Sequence, residues 1–420
     1  MACHTLVFRI TLLLLLASSW PAQANDRLRV SGFGTLGYTA DNNRDIYATR
    51  DISQLPNDDY RTGANWLMDT RVGLQLEYKP HEQLDLVAQV VARDHFKADL
   101  DSTTELAYLA WHPRPQLDLR LGRIPYDAFL MSDHRNVGYA YTWVRPPMEF
   151  YGWIPIFSLD GADANYQWRS GDASWDVKAQ LGKSQLWVPV NSGRDGGYLF
   201  KANNLAALSL TRQTSLWRVK LAHSRFTSGN PLAALAPLHA GLDAVAAAAI
   251  PGVSAEAAEL REEVDFYKAK ISYTTFGAVY DDNTWVVQAE LGVSTSTKEI
   301  VPSNRMAYAS VARRFGDWTP FVVWSVSRPQ AGVRQAANNW GGSNATVRDP
   351  AIFLANSMRI NQETVSLGVR WDLHTQAALK LQLDSTRAEP PGAGLWLRAP
   401  QYRGQSSRLN QLTATLDFVF

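Results

Sequence analysis

The closing segment of the chain, Ser407 to Phe420, alternates in character: Leu412, Ala414, Leu416, Phe418 and Phe420 hold one parity, and Gln411, Thr413, Thr415 and Asp417 hold the other. Successive side chains of a strand point to opposite faces, so this stretch has one face for lipid or a core and one for water. Its length is near the roughly 9 to 11 residues that cross a bilayer at a tilt. A strand edge left open in hydrocarbon costs several kcal/mol per unsatisfied backbone group. The pattern therefore predicts closure: an all-β, antiparallel transmembrane barrel in which the last strand pairs with the first.

The alternation recurs. From Trp66 to Lys79, Trp66, Met68, Val72, Leu74, Leu76 and Tyr78 share one parity, while Asp69, Arg71, Gln75, Glu77 and Lys79 share the other. Comparable segments begin at Arg27, Leu84, Thr103, Leu117, Leu159, Ser174, Leu205, Leu216, Val264, Thr284, Arg305, Phe321, Thr364 and Ala377, giving about sixteen strands by alternation and turn signals. Tight connections rich in Pro, Gly and Asp, such as Lys79 to Gln83 and Tyr280 to Asn283, take turns with long ones. The long ones are 40–65, 124–158, 183–204, 227–263, 328–363 and 387–406. Short turns on one side and long loops on the other are the habit of outer-membrane barrels. Tyr78, Trp168, Trp175, Trp217, Trp285 and Trp371 stand beside the short turns on the apolar parity, as an interfacial girdle would.

Composition narrows the class. The 420 residues carry a formal charge of +1 with both signs scattered, which argues against a nucleic-acid partner. The mean hydropathy of -0.23 is too polar for a bundle of membrane helices but suits a barrel, whose strands hide their apolar half in alternation. Residues 1–24 read as a secretory signal: His4 and Arg9, an apolar run from Ile10 to Ala17, then Ala22-Gln23-Ala24 as a cleavage site. The barrel is assigned to 25–420. Cys3 is the only cysteine and falls in the signal, so no disulfide is expected after cleavage. The alanine-rich stretch from Ala233 to Ala258, within the 227–263 loop, is broken by Pro237, His239, Asp243 and Pro251 and reads as a short helix or mobile cap on the outer side.

Chemistry in such a barrel lies inside it. The inward parity holds Arg71, Arg93, Arg120, Lys178, Arg218, Lys220, Lys268, Lys270, Arg370 and Lys380 against Asp69, Glu105, Asp163, Asp176 and Glu290, an excess of cations that points toward anion preference. Loop 124–158 combines four prolines and nine aromatic residues with Asp127, Asp133, Arg135, Arg145 and Glu149. So many aromatic rings are poorly placed in open water, and the loop is expected to fold inward as the constriction. Packing on the rim or between subunits is the alternative. Ser132-Asp133-His134 has the residue types of a hydrolytic triad, but neighbours in sequence cannot line up as nucleophile, base and orienter. No phosphate loop, zinc spacing or nucleotide fingerprint is present, so no catalytic residue, cofactor or metal is assigned.

The run Leu119-Arg120-Leu121-Gly122-Arg123, followed by Val137-Gly138-Tyr139-Ala140-Tyr141 and Trp143-Val144-Arg145-Pro146-Pro147, resembles a less characterised branch of the Gram-negative outer-membrane porins. That resemblance implies a trimer of 16-stranded barrels, a constricting third loop, and a terminal aromatic read by the barrel-assembly machinery. The Pro-Glu-Phe-Gly-Gly loop motif of general diffusion porins is absent. The function expected is passive diffusion of small hydrophilic solutes and ions across the outer membrane. A substrate-selective porin is the alternative, and a membrane-embedded hydrolase a more distant one.

Overall fold

The computed structural model describes residues 27–43, 46–54, 64–97, 99–189, 196–398 and 404–420; the segment read as a signal lies outside them. Sixteen strands longer than two residues form one antiparallel sheet. In chain order they are β1 Leu28–Asp41, β2 Arg71–His81, β3 Leu84–Arg93, β4 Thr104–Arg114, β5 Leu117–Pro125, β6 Ser158–Ser170, β7 Ala173–Pro189 and β8 Gly197–Gln213. The second half runs β9 Trp217–Ser228, β10 Lys270–Asp281, β11 Trp285–Ser296, β12 Asn304–Arg313, β13 Trp318–Pro329, β14 Gln362–His374, β15 Ala377–Ala388 and β16 Ser407–Val419.

Each strand pairs with the next, and β1 pairs with both β2 and β16, so the sheet is closed. The seam runs from Phe33 opposite Val419 to Asp41 opposite Gln411. Phe420 extends it, exchanging backbone hydrogen bonds of 2.9 and 3.0 Å with Gly32. A β-carbon at Gly34 or Gly32 would collide with the ring of Phe418 or Phe420, 2.2 Å from Cζ in each case. Glycines on β1 thus seat the aromatics of the last strand across the seam, which is how aromatic residues compensate for strand glycine.

The parity read from the sequence is the parity of the wall. Leu379, Leu381, Leu383 and Leu412 are exposed on the outer face, while Lys380, Gln382, Asp384, Thr413, Thr415 and Asp417 are buried within. Trp217, Trp285, Trp318 and Trp371 ring the short-turn end on the outside, with Trp318 stacked on Trp371 and Trp168 on Trp175. Apolar outside and polar inside, on a closed cylinder, is the construction of an integral outer-membrane β-barrel.

Three readings shift. β2 begins at Arg71 rather than Trp66, because Asn65 Oδ1 accepts the backbone N–H groups of Leu67 and Met68 and turns the chain inward, burying Met68. β10 begins at Lys270 rather than Val264, and Val264, Phe266 and Ala269 are buried in the preceding loop. The alanine-rich stretch is two packed helices, α1 Ala236–Ala247 and α2 Val253–Glu263, rather than one short one. A third helix, α3 Gly341–Ser357, comes from loop 328–363 and packs with them around Leu242, Val245, Leu260, Trp340 and Ala351. The Glu256 carboxylate ties the three segments by accepting the N–H groups of Ala337 and Asn338 and the Trp340 indole.

Leu381 is exposed midway along β15, facing lipid. Leu381→Arg is expected to destabilise the barrel by about 2 to 4 kcal/mol in vesicles, read from urea unfolding of the folded band. An unchanged midpoint would show that this position does not face hydrocarbon.

Candidate functional site: the barrel interior

β5 leaves the wall at Pro125 and β6 returns at Ser158, so residues 126–157 form the long connection anticipated after the fifth strand. Proline and aromatic residues keep it from forming a strand or a long helix; it holds only the helical turns Gly138–Ala140 and Met148–Tyr151. Many of its hydrogen-bonding groups are met by inner-parity residues from β7 round to β2.

At the start of the segment, the Asp127 carboxylate pairs with Lys220, accepts the Ser209 hydroxyl at 2.6 Å and lies 3.5 Å from Lys178. The Asp127 backbone N–H donates to Gln180 Oε1 at 2.9 Å. Burial pushes the Asp127 carboxyl up, but Lys220 and Lys178 outweigh it and hold it below the usual carboxylate range. Further along, Glu290 on β11 accepts the Leu130 N–H at 3.0 Å, the Tyr308 hydroxyl at 2.6 Å and the Tyr151 hydroxyl. Phe129, Phe150, Tyr151, Tyr273 and Tyr308 pack edge to face or tilted around this carboxylate. Such ring arrangements add to what burial of their area supplies.

The middle of the segment is held by cations. Lys380 Nζ donates to the carbonyls of Gly138 and Tyr141 at 2.6 Å each and of Trp143 at 2.8 Å, and sits 3.2 Å from Asp417. Arg370 reaches the carbonyls of Tyr139 and Tyr141, and Arg71 that of Asn136. Arg145 binds Asp69 at 2.7 Å, Asp384 at 3.2 Å and Thr413 Oγ1 at 2.7 Å. Asp69, just before β2, also pairs with Arg50 at 2.9 Å. Burial raises the Asp69 carboxyl, but Arg145 and Arg50 more than reverse this and bring it to about 2. Toward the end, Glu149 accepts hydrogen bonds from Ser325, Gln362 and Thr364. These contacts bury the wall: Lys380, Thr413 and Asp417 are 0% exposed.

The candidate residues divide accordingly. Arg71, Arg93, Arg120, Lys178, Lys220, Arg370 and Lys380 are engaged by carboxylates or by loop carbonyls. Arg218 points inward with its Nε unpartnered. Lys268 and Lys270 are off the inner wall. Lys268 precedes β10 with a positive φ of 59°, exposed beside the Tyr267 ring, and Lys270 shares the outward parity of Phe276. Ile271 and Tyr273 take the inward parity of β10 instead and are buried in the interior cluster. Of the loop residues, Asp127, Arg135, Arg145 and Glu149 are buried, whereas Asp133 is exposed. Arg135 spends its guanidinium on the carbonyls of Ile154 and Ile156 and lies 3.6 Å above the Phe157 ring. Ser132 Oγ accepts the N–H groups of Ala128 and Phe129, closing a turn. Sequence reasoning missed Arg50, Asp384 and Asp417. The last two stand on the polar parity of predicted strands, while Arg50 lay in an unpatterned loop.

With this geometry in place, comparison with solved structures identifies the fold. The anion-selective porin from Comamonas acidovorans superposes with a TM-score of 0.53 at 9% identity, covering 94% of this chain and 99% of that one. The outer membrane channel DcaP of Acinetobacter baumannii gives 0.50 at 10%, covering 94% and 99%, and Salmonella typhi OmpF, in a complex with daunomycin, gives 0.50 at 13%, covering 94% and 97%. The chain therefore has the fold of the 16-stranded outer-membrane porins. No sequence-family model matches it, and no curated protein matches it in sequence.

Removing one partner of a buried ion pair strands the other, at about 3 to 5 kcal/mol. Arg145→Met is expected to show a loss of that size in equilibrium unfolding, larger than for Asp133→Asn at the exposed position.

The pH dependence follows from Asp69. Its folded value of about 2 lies below the ordinary 3.8, so the stabilisation it gives is complete above about pH 4 and fades as pH falls toward 2. Pepsin cleavage within 126–157, normalised to a denatured control, should rise across that window.

Proposed function

We propose that the protein is an outer-membrane porin: a passive channel for small hydrophilic solutes and ions in which segment 126–157 sets the bore. The observation that carries this reading is the polar inner face of a closed barrel, engaged from β7 round to β2 by one loop. A channel filters by the narrowest ring its solutes meet, and here that ring would be built by the loop and its partners on the wall. Likeness in fold to an anion-selective porin and to an outer membrane channel supports the same reading.

The bore is narrow and selective rather than wide. Wall residues opposite the loop are shielded, and the middle of the lumen holds the aromatic cluster around Phe129, Phe150 and Tyr151. Solutes pass in small numbers, and a solute that fits beside these rings is favoured over one admitted by size alone. Anion preference rests chiefly on Arg218, which has no carboxylate partner among the described residues, with a smaller share from the partly buried Arg370, whose charge is shared with Asp372. A homotrimer, folded through recognition of the β16 terminus by the barrel-assembly machinery, completes the proposal.

Planar-bilayer recording tests it. Expected are current steps in multiples of three, small single-channel conductance, and a reversal potential in a KCl gradient that favours chloride. Arg218→Glu with Arg370→Glu should shift that potential toward potassium. Glu149→Ala with Tyr151→Phe, which releases two loop anchors, should raise conductance. Absence of current, or cation preference unmoved by the double charge reversal, would overturn the reading.

A further inference from the structure

Part of the connection between β1 and β2 also turns into the barrel. Of residues 46–54, all but Tyr47 and Ile52 are buried. The apolar side chains account for this: Ile46 and Ala48 join a cluster with Met68, Met148, Trp396 and Leu409, and Ile52 packs against it. The polar groups fix the position. Arg50 donates to Tyr141 Oη at 2.9 Å, the Ile52 N–H to the Gly152 carbonyl at 3.2 Å, and Gln54 Nε2 to the Met68 carbonyl at 3.1 Å. Segment 46–54 is thus fastened to segment 126–157 and to the chain just before β2.

Its place on the wall complements that of the longer loop. Segment 126–157 engages the wall from β7 round to β2 and leaves a strip from β2 to β5 open. Along that strip Gln75, Gln89, Tyr108 and Arg120 point inward and are only half-buried, against 0% exposure for Lys380, Thr413 and Asp417. At the long-loop end of the strip, segment 46–54 meets the wall. Asp51 pairs with Arg93, the last residue of β3, at 2.9 Å, and its carboxylate is held by the Ser53 N–H at 2.9 Å and hydroxyl at 2.5 Å. Arg93 Nε has no hydrogen-bond partner among the described residues and lies 3.9 Å from Glu105 on β4.

Outward of this pair is a cavity of about 80 Å³ lined by Ser53, Arg93, Glu105, Phe157 and Trp187, with Lys97 and Asp101 exposed at its edge. Inward of it, four residues or roughly 13 Å down β3, comes Gln89. The pair therefore stands between an opening on the long-loop side and the open strip below. Arg93 and Arg135, both over the Phe157 ring at 4.3 and 3.6 Å, face Asp51 and Glu105, so charge at this level is balanced. We propose that segment 46–54 is a second constricting element and that Asp51 and Arg93 are specificity-determining residues at the outer entrance of the bore. This inference rests on the channel reading. Solutes enter through the cavity, pass the ion pair and follow the half-buried strip toward the short turns. While the pair is intact it favours neither sign, and removing one partner exposes the field of the other to the passing ion.

Planar-bilayer recording of the full folded protein in a KCl gradient tests this. Asp51→Asn should raise the chloride-to-potassium permeability ratio about twofold, and Arg93→Gln should lower it by a similar factor. Asp51→Glu, which keeps the charge, should restore the wild-type ratio, and Lys268→Gln, off the inner wall, should leave it unchanged. A clamp with a structural role alone would loosen in the same way with either substitution. Shifts of the same sign, or no shift, would therefore overturn the inference while leaving the channel reading intact. Should Asp51→Asn fail to fold, Arg93→Gln alone decides, since only a shift toward potassium agrees with the proposal. Folded wild-type protein that carries no current would remove the channel reading and this inference with it.

Discussion

Hydrocarbon offers no hydrogen bonds, so a chain that crosses it as strands must satisfy every backbone group within its own sheet. Closure between β1 and β16 meets this demand here, and the rest of the structure follows from it. Once the sheet is a cylinder, a period of two in side-chain direction becomes a division between lipid and lumen. The seam is reinforced on the lipid side by Phe418 and Phe420 lying over Gly34 and Gly32. It is reinforced within by Thr35 donating to Asp417 at 2.5 Å.

The interior poses a second problem, because polar wall residues that lose water need partners. Segment 126–157 supplies them with its own backbone carbonyls and N–H groups and with three charged side chains, Asp127, Arg145 and Glu149. Lys380, buried among three carbonyls and Asp417, shows how far this goes: a lysine that would otherwise be a solvated lumen charge has become a loop anchor. The cationic excess counted along the inward parity is thereby largely consumed by pairing. What remains of that excess is the few inward cations outside such pairs, Arg218 among them.

Much of the fold was legible because alternation is a local signal. Leu379 to Leu383 against Lys380 to Asp384 can be read without knowing any partner strand, and the strand number, the closure and the extent of the loop after β5 came with it. The interior was less legible. Lys268 precedes the strand in a left-handed conformation, and Lys270 faces out because its apolar neighbours of the other parity, Ile271 and Tyr273, turn inward to join the aromatic cluster. Arg50 was invisible because its importance comes from Asp69 and Tyr141, neither of them neighbours in any sequence pattern. The helical cap was half seen: the alanines of α1 and α2 are suggestive, but α3 holds Pro350 and little apolar periodicity, and its contacts with the others, through Trp340, Ala351 and Ala355, appear only in the fold.

The central claim is that one loop shields a polar wall from water inside a sealed barrel. Thiol accessibility measures this directly, with Thr413→Cys on β16 and Ser310→Cys on β12 introduced in a cysteine-free mature chain and treated with a water-soluble methanethiosulfonate. Slow modification of both in the intact protein is predicted, with a marked acceleration when Glu149→Ala and Arg145→Met loosen the loop. Fast modification of both in the otherwise unaltered barrel would contradict the account.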